Sequence, residues 1–144
     1  MNCESSKDMR SILLSGLEYS IALVTAADDN ISKAEEDEIA NIVKKDFFAR
    51  LIENSETTQQ EFITKVIALA RKMVAASDLE LEQIFNEEAT PAILHTVQML
   101  GSEGRDCMLA TIESIATSDG TMSEDEAKMI NLIISILDVI PICT

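Results

Sequence analysis

Four acidic side chains have the types and spacing to do chemistry: Asp28 and Glu35, then Asp119 and Glu126. Each pair brackets a short polar stretch. The first reads Asp28-Asp29-Asn30-Ile31-Ser32-Lys33-Ala34-Glu35, the second Asp119-Gly120-Thr121-Met122-Ser123-Glu124-Asp125-Glu126. They superpose without a gap, and the same offset pairs Ile21 with Ile112, Ile39 with Ile130, Ile42 with Ile133 and Val43 with Ile134. Carboxylate oxygens suit hard divalent cations such as Ca²⁺, Mg²⁺ or Mn²⁺. Two copies packed about a pseudo-twofold axis could pool all four. The loops are not EF-hands: counting from either Asp, the sixth and twelfth positions are Lys33 and Ile39, or Glu124 and Ile130, where Gly and Glu are required.

The same residues have mechanical uses. Ser32 and Ser123 are placed to N-cap a following helix, and Glu35 and Glu126, one turn on, to return the bond in a capping box. Ile31 and Met122 take the position of a hydrophobic staple, imperfectly, because their partners one turn later would be Glu36 and Ala127. Asp119-Gly120 suits a left-handed exit from the preceding helix. Caps and solvated surface therefore outweigh a cation site on the sequence alone. They explain Asp28 and Asp119 least well, because a carboxylate near the carbonyl end of a helix opposes the macrodipole.

Other chemistries are excluded. His95 is the only histidine, with Ala92 three positions before it, so neither a catalytic triad nor a Glu-x-x-His metal motif can be built. There is no Gly-rich phosphate loop. Cys3, Cys107 and Cys143 form no metal-ligand pattern, and an odd count without a framework fits a reducing cytoplasm. Cys107 reads as a small core residue. The chain is not expected to be an enzyme.

The elements that must carry these loops read as helices throughout. Apolar spacing predicts eight helical segments, over residues 9–27, 32–46, 47–52, 58–74, 78–85, 90–101, 102–118 and 123–138, some of them short, which makes a bundle of about seven helices. Thr58 with Glu61 forms a capping box, Thr90-Pro91 an N-cap with proline at the first helical position, and Gly101 a C-terminal stop. The Met residues, including Met73, Met99, Met108, Met122 and Met129, read as core filler. The expectation is one all-α domain over residues 1–144, a compact bundle with an internal pseudo-repeat and a flexible N-terminus over residues 1–8.

Composition agrees. Of 144 residues 47% are hydrophobic and 26% charged, with only 4 Gly and 2 Pro, which describes a globular helical chain. The net charge of −15 repels phosphate backbones and anionic lipids, so nucleic-acid binding is not expected. Cations and basic partners are what such a field attracts. The most apolar stretch, residues 129–143, is interrupted by Asn131, Asp138 and Pro141, so it reads as a buried helix and not as a membrane insertion.

At its two loops the chain resembles the tellurite-resistance protein TerB family. That family's pattern is an Ala-rich helix followed by Asp-Gly-x-apolar-Ser/Asp-x-x-Glu in an early and a late copy. The stretches that carry it here run Ala26-Ala27-Asp28 through Glu35 and Ala116-Thr117-Ser118-Asp119 through Glu126, with Asp29 replacing the usual glycine in the first. The acidic middle, Asp78-Leu79-Glu80-Leu81-Glu82, is also similar. The resemblance implies an all-helical bacterial cytoplasmic protein, not an enzyme, tied to tellurite or other chemical stress, with loops proposed to hold metal ions. The alternative is a metal-free acidic module that docks a protein, a membrane-associated complex or a second copy of itself as a homodimer.

Overall fold

The computed structural model describes residues 3–27, 33–53, 57–118, 120 and 122–139. Its helices are α1 (Cys3–Ala26), α2 (Lys33–Ile42), α3 (Asp46–Glu53), α4 (Gln59–Ala75), α5 (Asp78–Ile84), α6 (Thr90–Ala116) and α7 (Glu124–Val139). A π-helical turn, Phe85–Ala89, joins α5 to α6. No strand occurs among the described residues, so the all-α expectation holds.

The described residues form six helical runs, not seven, because no gap separates α5, the π-turn and α6, and the stop expected at Gly101 is a kink inside the last of these. The expected N-cap at Thr90 is therefore corrected. Thr90 has helical φ −59° and ψ −51°. Its hydroxyl is buried without a hydrogen-bond partner among the described residues. The physical reason lies one residue on. Pro91 has no N–H and its ring crowds the carbonyl four residues earlier, which breaks a regular α-helix. In the π-turn the Thr90 N–H reaches back to the Phe85 carbonyl, and the wider ring leaves room for the proline. Gly101 kinks α6 at φ +74°, a conformation that favours glycine.

Other boundaries follow the sequence closely. Thr58 accepts from the Glu61 N–H at 3.1 Å and starts α4. Ser77 does the same for α5, accepting from Glu80 at 3.2 Å. The helix expected from Met9 begins earlier, at Cys3.

α1 is the centre of the bundle. It packs chiefly on α6 and α4, with α7 and α3 adding further contacts, and every residue over 20–25 is buried. A helix covered on all sides belongs in the interior. α4 presents Phe62, Val66, Ala70 and Met73 inward, the face its spacing predicts. Full burial of Phe62 stabilises the fold by about 2–3 kcal/mol. Where α1 crosses α6 the helices nearly touch. A Cβ built on Gly16 would lie 1.9 Å from Thr96 Oγ1 and 2.7 Å from the Ala92 carbonyl oxygen. Beside it the Ser20 hydroxyl donates to the Gly16 carbonyl at 2.8 Å, with Met108 Sδ 3.4 Å away. Among the described residues no helix is long and apolar enough to cross a membrane. The expectation that Met122 is core filler is corrected, since it is 37% exposed just before α7, and Leu132 within the apolar stretch is 50% exposed.

Candidate functional site

The first turns of α2 and α7 carry the acidic residues singled out by the sequence. In α7 the capping box is complete. Glu126 accepts the Ser123 N–H on Oε1 at 3.0 Å, and the Glu126 N–H donates to Ser123 Oγ at 3.1 Å. Glu126 is 1% exposed, and its Oε2 is buried. Glu35 occupies the matching place in α2, is also 1% exposed, and likewise has a buried Oε2. Asp28 and Asp119 lie outside the described residues, as do Ile31 and Ser32. Among the described residues no three His, Cys, Asp or Glu side chains converge.

At the offset that joins Glu35 to Glu126, burial agrees at some described pairs and differs at others, such as buried Val43 against half-buried Ile134 and buried Ala22 against exposed Glu113. Leu17 and Met108, Ile21 and Ile112, Val24 and Ile115, Ile39 and Ile130, and Ile42 and Ile133 are all buried. Ser20 and Thr111 both donate a hydroxyl to the carbonyl four residues earlier, at 2.8 Å in each case. α2 rests on α6, and α7 rests on α1.

The neighbouring acids of α2 and α7 divide between contacts and solvent. Glu36 reaches Arg71 at 3.6 Å, Glu38 accepts from Ser114, and Asp37, Glu124 and Asp125 are exposed. Asp138, at the other end of α7, pairs with Arg105 of α6. His95 is exposed on α6. Burial pushes the Cys107 thiol up, which keeps it protonated and a poor nucleophile.

Sequence reasoning missed a second cluster, between α1 and α4. Glu18, 8% exposed, forms one wall of a cavity of about 400 Å³ between α1 and α4. Ser15, Tyr19, Lys65, Ala68, Leu69 and Lys72 complete the lining. The one local signal was slight: Glu18 is a charged residue set between Leu17 and Ile21. The Tyr19 hydroxyl donates to Glu88 Oε1 of the π-turn at 2.9 Å. Burial, then Glu88, pushes the Tyr19 phenol up to about 12, so it stays a neutral donor.

Burial also raises the Glu18 carboxyl above its ordinary 4.5, while Lys65 pulls it back. A raised carboxyl binds its proton more tightly folded than unfolded, so stability falls as pH climbs from about 4.5 towards the raised value. Glu18→Gln cannot ionise and lacks that slope. Urea midpoints for the two proteins should therefore diverge in favour of the glutamine variant as pH rises through this window. Parallel pH profiles would show that Glu18 titrates as it does in the unfolded chain.

Compared with known protein families, curated proteins and solved structures, the chain matches none of them.

Proposed function

We propose that this chain is a non-enzymatic, TerB-like stress protein of the bacterial cytoplasm that takes up divalent cations at its two acidic loops. Asp28 and Glu35 would serve one loop, Asp119 and Glu126 the other. The observation that supports this most is the matched burial of Glu35 and Glu126, each 1% exposed, in the first turn after its loop. Removing a carboxylate from water costs several kcal/mol unless hydrogen bonds or positive charge compensate. The Ser123 N–H compensates part of that cost at Glu126. A net charge of −15 concentrates cations around the molecule, and the adjoining loops offer them carboxylate oxygens. The shared burial of Ile21 and Ile112, Val24 and Ile115, Ile39 and Ile130, and Ile42 and Ile133 supports reading the two halves as a repeat. The link to tellurite or chemical stress rests on the resemblance of the loops.

Isothermal titration with Ca²⁺, Mg²⁺, Mn²⁺ and Zn²⁺ tests the proposal. Saturable heat with at least one ion is expected, reduced by Asp119→Ala. Absence of heat with all four, or binding indifferent to both Asp119→Ala and Asp28→Ala, would overturn it.

A second reading, a metal-free acidic interaction module, is favoured by a groove of about 180 Å³ beside α7. Leu23, Ala26, Met73, Leu81, Met129 and the half-exposed Leu132 line it, with Asp125 and Lys128 at its edge. Under this reading a protein partner, or a second copy of the chain, stays bound in EDTA. Under the first it is released.

A further inference from the structure

We propose that the cavity between α1 and α4 is a binding site for a small zwitterionic molecule, which offers an amine to Glu18 and an anionic group to Lys65 and Lys72 across a short apolar spacer. Three observations converge on this chemistry. The cavity, at about 400 Å³, falls within the range of small-molecule sites. Glu18 lines it at 8% exposure, and no hydrogen bond or ion pair engages its carboxylate among the described residues. The Glu18 oxygens are not sealed in the core, so a carboxylate that makes no bond to the chain stays open at the cavity wall to a donor supplied from outside.

Charge is also sorted by depth. Lys65 and Lys72 are exposed, whereas Glu18 lies beneath them. The two lysines stand two turns apart on α4, roughly 10 Å along its axis, and present ammonium groups at the mouth. Lys65 acts on Glu18 only at a distance, since no ion pair joins them. Ala68 and Leu69, one helical turn on from Lys65, supply the apolar wall between the two charge types. A simple anion satisfies the mouth and leaves Glu18 unbonded. A simple amine satisfies Glu18 but must pass two cations. A molecule carrying both groups meets each requirement, and the neutral Tyr19 hydroxyl, held by Glu88, stiffens the adjoining wall.

The test uses the full chain and the probe ε-aminocaproate, with caproate and n-hexylamine as single-charge controls. Backbone amide shifts in ¹H–¹⁵N spectra report where each compound binds. Saturable shifts on α1 and α4 around Glu18 and Lys72 are expected with the zwitterion, with affinity at least about tenfold above either control. Glu18→Gln should weaken binding by about tenfold or more with helical content retained, and Lys72→Met, an exposed change that leaves the core alone, should weaken it severalfold. Absence of saturable shifts on α1 and α4 would overturn the proposal. So would equal binding of a control, or affinity unchanged in both variants.

Discussion

Gly16→Ala is expected to destabilise the protein by about 3 kcal/mol, the reverse of what helix propensity alone forecasts. Replacing glycine by alanine inside a helix ordinarily gains about 1 kcal/mol. Here the added methyl would stand 1.9 Å from Thr96 Oγ1, 2.4 Å from Thr96 Cβ and 2.7 Å from a backbone oxygen of α6. Rotation of Thr96 can move its hydroxyl, but Cβ and the Ala92 carbonyl move only if the helices separate. Overpacking of this kind costs about 1–3 kcal/mol or more, and separating α1 from α6 opens the centre of the core. In thermal unfolding the expected loss is about 6–12 °C. A variant as stable as the parent, by heat and by urea, would mean that α1 and α6 are not in contact at Gly16.

Removing the buried carboxylates one at a time, by Glu126→Ala and Glu35→Ala, should each cost about 2–3 kcal/mol. At Glu126 the loss combines a cavity in a site 1% exposed with an abandoned Ser123 N–H. Glu35 has the same burial and the same place in its helix, so its loss should be of similar size. Urea denaturation in EDTA isolates this structural contribution from any stabilisation by bound ions. Losses below about 0.5 kcal/mol would mean that these side chains sit in water, as ordinary surface acids do.

The helices were legible because their signals are local. The spacing Phe62, Val66, Ala70, Met73 marks one face of α4, and Thr58 with Glu61 marks its start. The Ser123–Glu126 box could likewise be read from residue types one turn apart, and the structure forms both of its bonds. Legibility failed where a distant element decides. Thr90-Pro91 is a sound helix start in isolation, yet Ala89 is fully buried and the chain enters α6 without leaving helical geometry. Gly16 carries no local message either, since its need for a bare α-carbon comes from Thr96, eighty positions away in sequence. Glu18 was overlooked for a related reason. On a wheel it is one polar residue on an amphipathic helix, and only the wrapping of α1 by α4 makes it an interior acid. The loop acids Asp28 and Asp119 were legible as a duplicated pattern, and the residues described around them place Glu35 and Glu126 inside the protein.

The central position of α1 also bears on synthesis. Translation delivers α1 before α4 and α6, and the α6 surface on which α1 chiefly packs is made only after residue 90. Until then a growing polypeptide must carry an apolar rod with little more than α3 and α4 to shield it, the condition in which nascent chains engage chaperones or aggregate. Ribosome-bound intermediates truncated before Thr90 should accordingly be protease-sensitive throughout α1, and protection should appear only once α6 has emerged.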